Sequence, residues 1–120
     1  MAENQRVICE SSELIESGKG VRFAIQHEGE EVPAFVVRSD GNVHAYLNRC
    51  AHVPVELDWM EGEFFDDSGV YLICSTHGAM YSPVDGICIS GPCAGKRLLK
   101  LSVEEREGKI YYMKHEDSYV

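Results

Sequence analysis

The chain reads as an all-β protein of short strands, on three observations. The segments VRFAIQHE (21–28) and VPAFVVRS (32–39) are rich in β-branched and aromatic residues, the types that fit a pleated, half-buried surface. Asp40-Gly41 and Glu107-Gly108 each stand between alternating segments, where a hairpin turn needs residues that tolerate positive φ. Helical character is confined to SSELIES (11–17), barely two turns, with Ser11 or Ser12 as its N-cap.

Along the chain, a turn-like GEE (29–31) separates the first two strands, and Asp40-Gly41 turns the second into NVHAYLN. VYLICS (70–75) reads as a further strand, Asp85-Gly86 as a turn and Gly91-Pro92 as a loop. RLLKLSVEEREGKIYYMK alternates on both sides of Glu107-Gly108 and predicts a closing hairpin, followed by a frayed KHEDSYV tail. Between Glu56 and Gly69 lies ELDWMEGEFFDDSG, with six acidic residues (56, 58, 61, 63, 66, 67) and Trp59, Phe64 and Phe65 among them. It reads as a surface loop whose aromatics pin it to the core, with an acidic docking surface carrying an aromatic anchor as the alternative.

A length of 120 residues predicts one domain over 1–120. Hydrophobic residues at 44% and charged residues at 26% are the mix of a soluble globular protein. A formal net charge of -9 argues against nucleic acid or an anionic membrane as partner, since both select a basic face. The longest apolar run, 70–74, is far short of the ~20 residues that cross a bilayer. MAENQRVICESSEL has no apolar core of a secretory signal, so a cytoplasmic protein is expected. Five cysteines, at 9, 50, 74, 88 and 93, are an odd count for a disulfide framework; in a reducing compartment they are small hydrophobes or ligands.

Two short motifs carry the chemistry. Cys50-x-His52 lies in NRCAHVP and Cys74-x-x-His77 in CSTHG, both in loops at the ends of predicted strands, with 53–73 between them. Pro54 and Gly78 follow them as backbone-shaping residues. Two thiols and two imidazoles in matched pairs form a metal-ligand set. The pattern resembles that of Rieske iron–sulfur proteins, in which each of two loops gives one Cys and one His to a [2Fe-2S] cluster. The likeness extends over most of the chain and includes SGPCAG (90–95), which is similar to the proline-containing loop covering the cluster.

The resemblance implies a Rieske fold, a small antiparallel β-sandwich or barrel with a cluster-binding subdomain at one tip, and cluster loops around 48–55, 72–81 and 90–95. It implies that Cys50 and Cys74 hold one iron and His52 and His77 the other. Two thiolates and two neutral imidazoles would neutralise an oxidised core of charge +2, which eases addition of an electron relative to four thiolates. The imidazoles would also couple reduction to proton uptake at alkaline pH. Gly78 and Gly91 are expected to let backbone amides approach the cluster. The function implied is a one-electron carrier, not an enzyme, passing electrons from a flavin or NAD(P)H reductase to an oxygenase or similar acceptor. No nucleotide-binding glycine fingerprint or catalytic triad accompanies the motifs.

Departures from the family's high-potential members are specific. Val55 and Thr76 stand where those members carry a loop-to-loop disulfide, and Ala79 where they carry a serine bonded to a cluster sulfide. Tyr81 falls near a potential-tuning tyrosine of those members. Fewer hydrogen bonds to the sulfurs, together with the negative charge, predict a low potential of about -150 mV. The segment between the ligand pairs is longer than is common, the excess lying in the acidic stretch. Two alternatives remain: an accessory subunit similar to the small subunit of assimilatory nitrite reductase, and a structural Cys2His2 zinc site. Cys9, Cys88 and Cys93 read as structural thiols, and His27, His44 and His115 as strand-surface or tail residues.

Overall fold

The computed structural model describes residues 5–27, 29–49, 56–58, 60–74, 78–91 and 96–113. Among the described residues, ten strands follow in order: β1 (Gln5–Glu10), β2 (Val21–His27), β3 (Glu30–Ser39), β4 (Asn42–Leu47), β5 (Leu72–Ile73), β6 (Met80–Tyr81), β7 (Cys88–Ser90), β8 (Lys100–Leu101), β9 (Val103–Arg106) and β10 (Lys109–Met113). They form three antiparallel sheets, ordered β1-β10-β9, β2-β3-β4-β8 and β5-β6-β7.

Turn chemistry sets two of the hairpins. Asp40 (φ 54) and Gly41 (φ 78) both take left-handed backbone, so Ser39 pairs directly with Asn42. Glu107 (φ 53) and Gly108 (φ 77) do the same between Arg106 and Lys109. Such two-residue turns match the twist of the strands they join. The GEE turn shifts: Glu30 already pairs with His27, so Glu30 and Glu31 belong to β3.

β3 is the spine. Its residues from Val32 to Val37 are buried except for the half-buried Pro33, and alternate side chains serve different cores, as the two-residue period of a strand requires. Phe35 and Val37 join Tyr46, Leu57, Phe64, Leu72, Cys74, Ala79, Tyr81, Cys88 and Leu98 on the side of the β5-β6-β7 sheet. Val36 points the other way, into a core with Cys9, Leu14, Ala45 and Ile110.

Two expectations fail locally. The helix over 11–17 is only a 3-10 turn, Ser11–Glu13, begun by Glu10 rather than a serine; the Glu10 amide donates to Glu13 Oε2 at 2.9 Å. Leu14 is buried but Ile15 is 68% exposed, so no apolar face holds a second turn. The strand over 70–75 contracts to β5, its partners in β6 being only Tyr81 and Met80.

Candidate metal centre

Three loops leave the β5-β6-β7 side of the fold, and each is closed at its neck. For the first, the Asn48 amide donates to Pro33 O at 2.9 Å, and Asn48 Oδ1 accepts the Leu57 amide at 2.8 Å. For the second, Cys74 N donates to Ala79 O at 2.8 Å and Gly78 N to Cys74 O at 2.7 Å. For the third, Cys88 N donates to Lys96 O at 2.8 Å, with an Ile87–Arg97 bridge behind it. The necks close off the segments 48–57, 74–79 and 88–96.

Of the four expected ligands, Cys74 is described: it is fully buried at the end of β5 and is not in a disulfide. Cys50, His52 and His77 lie outside the described residues, as do Val55, Trp59, Thr76, Cys93 and His115. Among the described residues no three potential ligands come together. The backbone around Cys74 is shaped for close approach. Gly78 takes φ 73 and Gly91 φ 101, conformations that L side chains rarely adopt. A Cβ on Gly91 would lie 2.9 Å from Ala79 Cα and 3.4 Å from Ala79 N, so the third loop rests on the second, backbone against backbone. A glycine contact of this kind, a buried thiol and a Cys2His2 donor set fit a [2Fe-2S] group. Tyr81 is fully buried on β6, opposite Leu72 and Cys88.

The acidic segment divides. Phe64 is fully buried and stacks on Phe35 with centroids 3.9 Å apart and an interplanar angle of 12°. Phe65 packs against the same core and bridges to Leu72. Aromatic pinning is thus real, while Glu56, Glu61, Glu63 and Asp67 remain exposed. Asp58 is the exception, with its side chain fully buried beside Arg22. A lone acid among six gives no sequence signal that it will turn inward.

The remaining cysteines need one correction. Cys9 is a buried thiol, pushed up to about 11 by burial and then by the charge of Glu13. Cys88, read as a thiol, is disulfide-bonded. His44 is half-buried on β4, and burial, then Lys100, lowers its pKa below the usual imidazole range. His27 sits at the end of β2.

The described residues form a small all-β domain of three antiparallel sheets. The sequence profile of the Rieske [2Fe-2S] domain matches residues 4–110, and the chain belongs to that family. No curated protein matches it. Among solved structures, the fold is similar to a chain in a complex of reduced oxygenase and oxidized ferredoxin in carbazole 1,9a-dioxygenase, at TM-score 0.70 and 24% identity, covering 92% of this chain and 93% of that one. It is similar also to the ferredoxin of carbazole 1,9a-dioxygenase from Nocardioides aromaticivorans IC177, at TM-score 0.69 and 20% identity, covering 93% and 99%. The Sphingomonas yanoikuyae B1 ferredoxin matches at TM-score 0.70 and 21% identity, covering 93% and 100%. No helix among the described residues is long and apolar enough to cross a membrane.

Proposed function

We propose that the chain is a soluble one-electron carrier that holds one [2Fe-2S] cluster per chain through Cys50, His52, Cys74 and His77. The observation that carries this reading is the pairing of Cys-x-His and Cys-x-x-His within a chain whose family profile is the Rieske domain. When bound, the cluster would supply a one-electron redox centre whose single potential is set by its ligands and their surroundings. The protein's part is to hold that centre dry and rigid. Cys74 is withdrawn from water at the end of β5, and Gly91 keeps a side chain out of the space between the second and third loops. Ala79 brings no hydroxyl to the site, which favours the lower end of the potential range, about -150 mV.

The chain acts as a single domain over 1–120, a monomer in the cytoplasm, and is itself no catalyst. Its partners are a flavin or NAD(P)H reductase upstream and an oxygenase or similar acceptor downstream. The likeness to ferredoxins of oxygenase systems, one of them in complex with its oxygenase, supports that placement. The -9 net charge favours partners that present basic faces.

The test is the visible and EPR spectrum of purified protein before and after dithionite. A red-brown protein that gains a rhombic signal of low average g on reduction is expected. A colourless, EPR-silent protein with stoichiometric zinc would overturn the reading in favour of a structural metal.

A further inference from the structure

The acidic segment touches both halves of the site. At its start, Leu57 and Asp58 close the first loop on Asn48, two residues before Cys50. Asn48 Oδ1 accepts from Leu57 N at 2.8 Å, and Asn48 Nδ2 donates to Asp58 Oδ1 at 3.0 Å. The second carboxylate oxygen, Oδ2, accepts from Gly62 N at 2.9 Å and lies 3.5 Å from Arg22 Nε. Arg22 also pairs with Glu56 at 2.7 Å. Asn48 is 1% and Asp58 6% exposed, so these polar groups have little water to fall back on.

At its end, the same segment is sewn to the strand that leads into Cys74. Ile73 N donates to Phe64 O and Asp66 N to Tyr71 O, both at 2.9 Å, and Phe65 bridges to Leu72. Its middle lies on β2 and β3: Gly20 N donates to Gly62 O at 2.9 Å, and Phe64 stacks on Phe35. A Cβ on Gly20 would meet Phe64 Cδ2 and Val36 O, each at 2.8 Å, so the segment is seated tightly.

We propose that residues 56–66 form a bracket that fixes the first ligand loop relative to the second, with Asn48 and Asp58 as positioning residues for the cluster. Val55 and Thr76 provide no covalent tie between the loops, and the bracket supplies a noncovalent one. The proposal rests on Cys50, His52, Cys74 and His77 being the ligands. Its energetic logic is the asymmetry of buried hydrogen bonds: breaking one partner leaves the others unsatisfied, so the pair acts as a latch.

The latch can be reversed, and that provides the test. In Asp58→Asn, an amide NH2 faces the Gly62 N–H and Arg22. In Asn48→Asp, a carboxylate faces Asp58. In the swap Asn48→Asp with Asp58→Asn, residue 48 still accepts from Leu57 N, the amide NH2 of residue 58 donates to it, and the single amide oxygen of residue 58 accepts from Gly62 N. Holoprotein of each variant is followed for loss of cluster absorbance under anaerobic chelator, together with EPR line shape and the unfolding midpoint. Ile110→Ala, in the core on the far side of β3, is the control for simple loss of stability.

Each single variant is expected to release the cluster about tenfold faster or more, with broadened EPR lines. The swap should return to within about threefold of wild type, and the control should lose stability without faster release. Release no faster than in the control at matched stability, or a swap that behaves as the sum of its parts, overturns the bracket. A wild-type protein without the mixed Cys/His spectrum would instead remove the ligand assignment beneath it.

Discussion

Gly91→Ala is a sharp probe of how the third loop meets the second. Two costs add. The first is backbone: φ 101 is a conformation in which a side chain strains the chain by about 1–3 kcal/mol. The second is contact: the new Cβ would sit 2.9 Å from Ala79 Cα, a backbone atom that cannot swing away as a side-chain tip could. The loops must part by several tenths of an ångström, or the collision adds a further ~1–3 kcal/mol of overpacking. Gly41→Ala isolates the first cost, because Gly41 has φ 78 and nothing within 4 Å of its would-be Cβ. At roughly 4 °C per kcal/mol for a chain of this size, Gly91→Ala should melt about 4–12 °C below Gly41→Ala. Parting the loops should also admit water and oxidant, so cluster bleaching in air should be faster in Gly91→Ala alone. Melting temperatures of the two apo-variants, and 450–500 nm absorbance decay of the two holoproteins, read these out. Equal melting points and equal bleaching would refute the contact between the loops.

Other expectations are simpler. Phe64→Ala removes a fully buried ring from a stacked pair and should cost about 3–5 kcal/mol in urea denaturation; a loss below ~1 would mean that the acidic segment is not anchored there. Glu105 is held below the usual carboxylate range by hydrogen bonds from Arg38, so its contribution is present above about pH 4.3 and fades as pH falls through the lowered folded-state value. Glu105→Gln should therefore be less stable than wild type at pH 7 by about 1 kcal/mol, and the gap should close in acid; a gap that persists at pH 2 would contradict this. Electron transfer to a basic partner should slow as ionic strength rises from ~0.02 to ~0.5 M, and a flat rate would exclude charge steering by the -9 surface.

What could be read from the sequence follows from how local each feature is. The hairpins at Asp40-Gly41 and Glu107-Gly108 were legible because two adjacent residues alone decide the backbone there. β1 left little signal: its sheet partner, β10, lies about a hundred residues away, so nothing near Gln5–Glu10 announces the pairing. VYLICS carries strand-forming residues, yet Val70 and Tyr71 remain exposed and the strand pairing with β6 runs through Leu72–Ile73. The paired Cys/His motifs mark a candidate site by their spacing alone, whereas the Asn48–Asp58 contact joins residues ten apart across irregular chain and leaves no pattern to find. Phe64 and Phe65 were recognisable as anchors from composition, although which of them would be fully enclosed depended on Phe35 being opposite. The disulfide at Cys88 could not be foreseen: with five cysteines and no regular framework, spacing alone does not choose a pair.

The closed necks have a consequence for how this protein could change. Because Asn48–Leu57, Cys74–Ala79 and Cys88–Lys96 each pinch off one loop, the chain between two pinch points is topologically a cassette. Residues can be exchanged, inserted or deleted inside a cassette while the register of the sheets beneath stays put. Redox tuning and partner choice can then vary by grafting one loop at a time onto an unaltered scaffold.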